Sequence, residues 1–277
     1  MGMQINTNVA ANNAYRNLNN TQGDLSKSLE KLSSGLRINR AADDAAGLAI
    51  SQGLKSQVGG LTVAARNAQD GISVVQTAEG QLTEVHSILQ RVRDLAVQAG
   101  NDSNNADSRT AIKTEVDQLT SELTRISGDA NFNGIQLLDG SNATLTFQVG
   151  AGSVAANDQI AVSLSGANVA TVATAVGALT FDTSANALAS IAALDTQITN
   201  VSTARATLGA VQNRFESTIR SLSVSKENLS AASSRITDTD MAEEMVKFTR
   251  SNILSQAGTA MLAQANQTGQ GVLQLLR

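Results

Sequence analysis

The chain of 277 residues contains no cysteine, no proline and no tryptophan. The absence of cysteine excludes disulfide bonds, thiolate metal sites and a thiol nucleophile. The absence of proline removes the residue that breaks helices most strongly, so long uninterrupted helices are permitted. Aromatic residues make up only 2% of the chain against 42% hydrophobic residues. The composition therefore predicts an aliphatic core built on long helix seams, and it disfavours an aromatic-lined ligand pocket.

Charged residues are also scarce, at 16% of the chain, and the net charge is −4. An average soluble protein carries roughly 25% charged residues. No cluster of lysine and arginine forms a phosphate-binding face, and nucleic-acid affinity comes chiefly from the neutralisation of phosphates. The composition therefore argues against a nucleic-acid partner.

The sequence has no run of about 18 apolar residues, which a membrane-spanning helix requires. Its start, Met1 to Asn6, has neither the basic nor the apolar region of a secretory signal peptide. The segment between Arg250 and Arg277 carries no charge, but glutamine and asparagine interrupt its apolar residues. We therefore expect no membrane insertion and no signal-peptide export, and we interpret this segment as a neutral polar helix.

Candidate catalytic groups are few. His86 is the only histidine, so a two-histidine zinc motif is absent from the sequence. A serine–histidine–aspartate triad built on His86 would place its base on a packed helical rod. Asp43 and Asp44 could imitate paired catalytic carboxylates, but beside Arg37 and Arg40 they are more typical of surface ion pairs or of a helix start. We expect no enzyme activity, no metal and no cofactor.

The N-terminal segment shows leucines at helical spacing, surrounded by asparagine, glutamine, serine and threonine. This apolar seam consists of Leu18, Leu25, Leu29, Leu32 and Leu36. The uncharged C-terminal segment offers further apolar positions at Ile253, Met261, Leu262, Leu273 and Leu276. Because neither segment buries much by itself, we expect both to form helices that pack among copies of the same chain.

A longer seam begins at Val75, where apolar residues alternate steps of three and four. Its members are Val75, Ala78, Leu82, Val85, Leu89, Val92, Ala96 and Ala99. It ends at Gly100 and a polar run to Asn105, after which the alternation continues from Ile112 to Ile126. The sequence therefore predicts two helices folded back as an antiparallel hairpin. Gly59-Gly60, ahead of the seam, is interpreted as a local helix break.

A third helical pattern extends from Ile191 to Ile236. Its apolar positions include Ile198, Leu208, Phe215, Ile219 and Leu222. At about 1.5 Å per residue such a helix is roughly 70 Å long, several times the ordinary globular helix of about 11 residues. It predicts a rod. Seams of this kind close either on their own chain or on neighbouring subunits, and both outcomes remain open from the pattern alone.

The middle of the chain has a different pattern. Asn133-Gly134 and Asp139-Gly140 are turn dipeptides. Two short strands are predicted where apolar residues alternate with polar ones, at Leu145, Phe147 and Val149 and again at Ile160, Val162 and Leu164. Residues 169–187 show no clear period, so no element is assigned there. The fold class expected is mainly α: long antiparallel helices from both termini form coiled-coil or bundle rods around a small β-hairpin region.

Both ends of the chain carry long motifs that resemble one protein family. In the N-terminal half they are Ile5–Asn8, Leu32–Asn39, Ala41–Leu48 and Gln90–Gln98. In the C-terminal part they are Leu208–Phe215, Asn228-Leu229 and Asp238–Met245. These segments resemble the terminal blocks of bacterial flagellin.

The resemblance implies three regions. Residues 1–43 and 237–277 would form an inner core domain of terminal helices, and residues 44–140 and 188–236 an outer core domain with the long helical rod. Residues 141–187 would form a short β-hairpin and a variable outward-facing segment, without large extra domains.

The resemblance also implies a function. The chain would polymerise with itself into the flagellar filament for swimming motility, outside the cell, after unfolded export by the flagellar type III system. Its further partners would be an export chaperone, the filament cap and the hook-filament junction proteins. An alternative is that the chain is itself a hook-filament junction protein, which shares the terminal helices.

A host partner is implied as well. Arg91, Leu95 and Glu115 match the positions through which flagellins contact the flagellin-sensing Toll-like receptor. The alternative is that Arg91 and Glu115 are ordinary solvated charges on helices.

Overall fold

The computed structural model describes residues 8–275, and it describes side chains from residue 8 to residue 267. The chain forms two compact units. Unit 1 comprises Met1–Ser56 and Asn228–Arg277, and unit 2 comprises Gln57–Glu227. Two long helices, α2 (Ala45–Ala99) and α6 (Ser184–Thr237), contribute residues to both units.

Unit 2 is built on three helical segments. Helix α3 (Ala106–Asp129) returns along α2, and Arg91 of α2 forms an ion pair with Glu115 of α3. Helix α6 runs antiparallel to α2, since Arg93 pairs with Asp195, whereas Arg205, later in α6, pairs with Glu79, earlier in α2. The predicted antiparallel hairpin is therefore confirmed, and the third helical pattern forms one continuous helix as expected.

The loop between α2 and α3 forms where the polar run predicts it. The side chain of Asn105 accepts a hydrogen bond of 2.8 Å from the backbone N–H of Ser108 and so caps α3. Asn104 donates to the carbonyl oxygen of Gln98 at 2.6 Å, which satisfies one of the last carbonyls of α2. Side chains of this polar run thus end one helix and begin the next.

The core of unit 2 follows the predicted seams. Every member of the α2 seam is fully buried, namely Val75, Ala78, Leu82, Val85, Leu89, Val92, Ala96 and Ala99. Ile112, Val116, Leu123 and Ile126 of α3 and Leu194, Val201, Leu208 and Phe215 of α6 are buried against the same core. A three-helix bundle with an aliphatic interior results.

Helix α2 does not break at Gly59-Gly60, so this prediction is wrong. A Cβ atom on Gly60 would lie only 2.8 Å from the Cβ of Ala151. A Cβ atom on Gly71 would lie 2.7 Å from the ring of Phe215. Gly60 and Gly71 therefore allow other parts of unit 2 to approach the helix closely, whereas Gly59 has open space around it.

Two β-hairpins lie in the middle of the chain. Strands β1 (Asn131–Phe132) and β2 (Ile135–Gln136) are joined by Asn133 and Gly134, whose φ angles are 51° and 79°. Positive φ at both central residues is the geometry for which an Asn-Gly turn is selected. Strands β3 (Thr144–Gln148) and β4 (Gln159–Ser163) pair antiparallel, and a short helix α4 (Ala155–Asp158) precedes β4. Both predicted features, the turn and the strand pair, are confirmed.

The β3–β4 hairpin is anchored to the bundle by aromatic contact. Phe147 of β3 meets Phe215 of α6 edge to face, with ring centroids 5.6 Å apart and planes at 89°. This geometry places the positive edge of one ring on the negative face of the other. Two of the scarce aromatic residues thus lie where strand and helix meet.

Residues 169–187 contain an element that periodicity did not reveal. Helix α5 (Val169–Gly177) packs on α3 and buries Val169, Val172, Ala173 and Val176. Asn168 caps it by accepting a hydrogen bond from the backbone N–H of Thr171. At nine residues, and with alanine and valine on most sides, the helix is too short for a repeat to stand out.

Unit 1 contains an antiparallel pair of terminal helices. Helix α1 (Val9–Ser34) lies along α7 (Met241–Leu275). Asn8 donates to the carbonyl oxygen of Ala265 at 2.9 Å, and Leu18 lies beside Gly258. The predicted pairing of the two termini is confirmed.

Candidate assembly surface

The side chains of unit 1 are mostly exposed or half-buried. Among its described residues, Ile38 is the only hydrophobic residue that is fully buried. The other fully buried side chains there are polar: Ser28, Ser51, Ser233, Thr237 and Glu244. A helix pair of this size therefore holds almost no dry apolar core of its own.

The leucines of the predicted α1 seam differ in burial. Leu18, Leu25, Leu32 and Leu36 are half-buried. Leu29 is 53% exposed, and the fully buried residue of α1 is its neighbour Ser28. The buried face of α1 thus passes through Leu25, Ser28 and Leu32, and Leu29 is not part of it.

The predicted positions on α7 fall into two groups. Ile253 and Met261 are exposed, and Leu262 is half-buried. The side chain of Leu273 and the whole of Leu276 lie outside the described residues. The exposed members are apolar side chains that the described part of this chain leaves open to solvent.

Exposed apolar side chains on α7 line a shallow groove. We call this groove the α7 face; it is lined by Ala242, Met245, Val246, Thr249, Arg250, Ile253 and Leu254. Sequence reasoning singled out only Ile253 of these residues as an assembly position. The signal was present, however, because positions 242, 246, 249 and 253 follow the three/four spacing of one helix face.

Hydrogen bonds join the segment after α1 to the segment between α6 and α7. The backbone N–H of Arg37 donates to the carbonyl oxygen of Thr237 at 2.6 Å, and that of Thr239 donates to Gly35 at 3.0 Å. The guanidinium of Arg37 donates to the carbonyl oxygen of Ile236 through Nε and Nη2, at 3.2 and 2.7 Å. The bonds from Arg37 satisfy the last carbonyls of α6. Together these bonds hold the segment after α1 against the segment that joins α6 to α7.

Acidic side chains stabilise the turns of unit 1. Asp240 caps α7 by accepting from the backbone N–H of Ala242 at 2.9 Å. Hydroxyl donors from Ser234 and Thr237 lower the pKa of Asp238. Asp44 accepts from the N–H of Gly47 at the start of α2, and backbone N–H groups of Arg40 and Asn39 lower the pKa of Asp43. The aspartate pair thus has the structural role that the sequence favours.

The predicted rod positions lie inside unit 2. Val75, Leu82, Val85, Leu89, Val92, Leu208 and Phe215 are fully buried. Leu222 is buried at the margin, and Ile198 and Ile219 are partly buried against the same core. These residues close on their own chain, so they hold unit 2 together.

The three predicted receptor positions differ in exposure. Arg91 and Glu115 lie on the surface of α2 and α3, and Nη2 of Arg91 is 2.6 Å from Oε1 of Glu115. Leu95 is only 2% exposed and belongs to the core of unit 2. The structure thus places an ion pair, but not the leucine, on the accessible face.

Side chains that could catalyse a reaction or bind a metal ion do not come together in the described part of the chain. His86 is engaged with Gln90 on the surface of α2, with its Nε2 2.9 Å from the Gln90 amide nitrogen. Residues 8–275 contain no group of three or more histidine, cysteine or acidic residues placed to hold a metal ion. No helix in that range is long and apolar enough to cross a membrane.

Family models match both ends of the chain. The bacterial flagellin N-terminal helical region matches residues 5–143, and the bacterial flagellin C-terminal helical region matches residues 191–276. The region between the two matches contains the β3–β4 hairpin and α5.

Curated relatives match along their whole length. A flagellin from Halalkalibacterium halodurans is 52% identical and one from Bacillus subtilis is 48% identical, each over 99% of this chain and 100% of the relative. A flagellar filament 33 kDa core protein from Treponema phagedenis is 45% identical over the same shares.

A solved structure of a flagellar hook-associated protein from Vibrio parahaemolyticus aligns with a TM-score of 0.57. It covers 71% of this chain and 100% of that chain at 15% identity, which shows a shared fold alone. The likeness in fold assigns no role, whereas the identity to the curated flagellins shows the family. The chain belongs to the bacterial flagellin family: it is a structural subunit of the extracellular flagellar filament used for motility, and not an enzyme.

Proposed function

We propose that the α7 face and the exposed side of α1 form the surface through which subunits pack into the filament. The observation that carries this proposal is the pairing of exposed apolar side chains with an almost empty core in unit 1. Burial of one such side chain stabilises a contact by about 1.5–3 kcal/mol. In a helical polymer the same contact recurs in every subunit, so a second copy of the chain is the natural occupant.

The absence of charge from the later part of α7 supports the same occupant. No charged residue follows Arg250 before Arg277. Identical charged faces would repel one another when many copies are stacked, whereas neutral polar and apolar faces do not. The part of α7 that follows Arg250 is therefore suited to self-association.

The proposal is tested by two matched substitutions. Val246 on the α7 face is 59% exposed, and Val224 of α6 in unit 2 is 58% exposed. Val246→Asp is expected to abolish elongation from filament seeds, because it places a charge in the contact. Val224→Asp has the same chemistry and similar exposure, and it is expected to leave elongation intact. Parental elongation by the Val246→Asp subunit, followed by electron microscopy, would show that copies pack elsewhere.

We also infer the three-part division described for the sequence. Residues 1–43 and 237–277 would form the inner core, residues 44–140 and 188–236 the outer core, and residues 141–187 an outward-facing segment. The exposed turn between β3 and β4, which includes Val154, supports the last assignment. A short peptide tag inserted after Gly152 is expected to bind antibody on intact filaments. Filaments that form but hide the tag would contradict this division.

Export and accessory partners follow from membership of the family. We infer unfolded passage through the flagellar type III system, with an export chaperone, the filament cap and hook-filament junction proteins as partners. The absence of cysteine supports export, because no disulfide has to be broken before the chain is threaded. Cells lacking the export gate are expected to retain the subunit, and secretion in their absence would contradict the inference.

A second function concerns host recognition. The accessible ion pair of Arg91 with Glu115 supports a contact with the flagellin-sensing Toll-like receptor, with Leu95 acting beneath it by packing. Arg91→Ala is expected to lower receptor activation by about tenfold or more, as loss of a central arginine anchor does. Arg125→Ala removes a comparably exposed arginine on α3 and serves as the control. Equal activation by parent and Arg91→Ala monomers would remove this function.

A further inference from the structure

Sulfur is confined to one unit of the molecule. The chain has five methionines and no cysteine, and the methionines are Met1, Met3, Met241, Met245 and Met261. All five fall within the residue ranges of unit 1. Unit 2 therefore contains no thioether or thiol, which are the side-chain groups that mild oxidants attack first.

The described methionines are also accessible. Met241, Met245 and Met261 are exposed by 48%, 52% and 64% on α7. Met245 lines the α7 face beside Val246 and Ile253. Buried thioethers react slowly because the oxidant has to reach the sulfur, so exposure of this size makes all three reactive in the free subunit.

We propose that Met241, Met245 and Met261 form an oxidation site that controls whether the free subunit can join a filament. A sulfur lone pair attacks one oxygen of hydrogen peroxide, the O–O bond breaks, an S–O bond forms, and the other oxygen leaves as water. The sulfur loses two electrons and the peroxide gains them. The product is methionine sulfoxide, which is polar and chiral where the thioether was apolar.

The consequence is selective, because it rests on the proposed packing through the α7 face. A sulfoxide oxygen at Met245 has to be desolvated when a second copy covers the groove. Of the two side-chain donors in the lining, the Thr249 hydroxyl already donates to the carbonyl oxygen of Met245, which leaves the guanidinium of Arg250. Each oxidised methionine that the contact buries is expected to weaken subunit addition by roughly tenfold to a hundredfold, the loss of one buried apolar side chain. Unit 2 has no sulfur and stays folded.

The experiment compares elongation from seeds by peroxide-treated and untreated subunits. Oxidation at the three positions is measured by peptide mass spectrometry, and the fold of unit 2 by hydrogen exchange. Treated parent subunits are expected to lose elongation, and treatment with methionine sulfoxide reductases should restore it without any mutation. The variant with Met241→Leu, Met245→Leu and Met261→Leu keeps Met1 and Met3, and it is expected to elongate after the same treatment, because leucine conserves volume and has no sulfur.

Two results would overturn the inference. One is parental elongation by subunits that are oxidised at all three positions. The other is a leucine variant as sensitive to peroxide as the parent. If untreated Val246→Asp elongates normally, the proposed packing surface itself is at fault; if Val246→Asp fails while the oxidised subunit elongates, only the oxidation site is refuted. Single leucine variants assign the effect if the triple variant fails to polymerise untreated.

Discussion

The two units of this subunit both contain long helices, but they differ in how many apolar side chains they bury. Unit 2 buries Leu82, Leu89, Leu208 and Phe215 completely within its own chain. Unit 1 has long helices as well, yet Ile38 is its only fully buried hydrophobic residue among those described, and Val246, Ile253 and Leu254 are exposed. Since helices are stabilised mainly by the packing of an apolar face, unit 2 is stabilised by its own core, whereas we propose that unit 1 is completed by neighbouring subunits. The buried core of the monomer and the proposed polymer contact thus lie in different parts of the chain.

The comparison is tested most strongly by truncating one leucine in each unit. Leu89 is 0% exposed in unit 2, and Leu29 is 53% exposed in unit 1. Leu89→Ala is expected to lower the free energy of unfolding of unit 2 by about 2–5 kcal/mol, because it leaves a cavity. Leu29→Ala, the matched change, should alter monomer stability by less than about 0.5 kcal/mol. Hydrogen exchange of the monomer resolves the units separately, and equal losses would mean that unit 1 has a core of its own.

A smaller effect is expected from two glycines of the same helix. Gly71 of α2 faces the ring of Phe215 in unit 2, whereas Gly53 of α2 in unit 1 has no other atom within 4 Å of an added Cβ. Gly53→Ala should stabilise the monomer by about 1 kcal/mol, since alanine favours helix. Gly71→Ala should be a net loss, because overpacking costs about 1–3 kcal/mol. Thermal unfolding followed by circular dichroism compares the two variants, and stabilisation by Gly71→Ala would show that the packing around Phe215 is loose.

These pairs also show what sequence patterns reveal. Every member of the three/four alternation from Val75 to Ala99 is buried, because regular apolar spacing marks the face of a helix that packs in a bundle. The Asn133-Gly134 turn was equally readable, since few other residues adopt positive φ at two successive positions. Local chemistry and period therefore recovered the long helices, the loop after α2, the Asn133-Gly134 turn and the β3–β4 hairpin, but not α5.

Other features depend on tertiary neighbours that a pattern does not contain. Leu95 lies beside the α2 seam, and it is buried because a bundle of three helices covers a wider stripe than a helix pair does. Leu29 continues a leucine pattern but is exposed, since the buried face of α1 passes through the small residue Ser28. Gly60 resembles a break but instead admits Ala151. The spacing of the α7 face is visible in the sequence, but its exposure is not, because exposure is decided by what the rest of the chain leaves uncovered.

A third prediction concerns the hydrogen bonds between Arg37, which follows α1, and the last residues of α6. Arg37→Ala removes two hydrogen bonds to the carbonyl oxygen of Ile236, and we expect a local loss of about 1 kcal/mol. The readout is faster hydrogen exchange at two backbone amides. One is the amide of position 37, which donates to Thr237, and the other is the amide of Thr239, which donates to Gly35. Arg40→Ala removes an exposed ion pair with Glu30 in the same turn and is the control. Unchanged exchange at Thr239 in Arg37→Ala would show that the backbone bonds suffice.

The smallest effect concerns an ion pair between helices of unit 2. Arg93 lowers the pKa of Asp195 by donating from Nε to its carboxylate at 2.6 Å. Because the pKa is lower in the folded chain than in the unfolded one, the pair stabilises the fold above the ordinary carboxyl pKa, and this contribution is lost as the pH falls through the folded value. Arg93→Gln should return the pKa of Asp195 towards its ordinary range, as measured by NMR titration of the monomer. The pKa of Asp238 in unit 1 is lowered mainly by the Ser234 hydroxyl, and it should be unchanged in that variant. A shift of both carboxyls would mean that a charge change in the rod of unit 2 reaches unit 1, and the two units would then not be independent in acid.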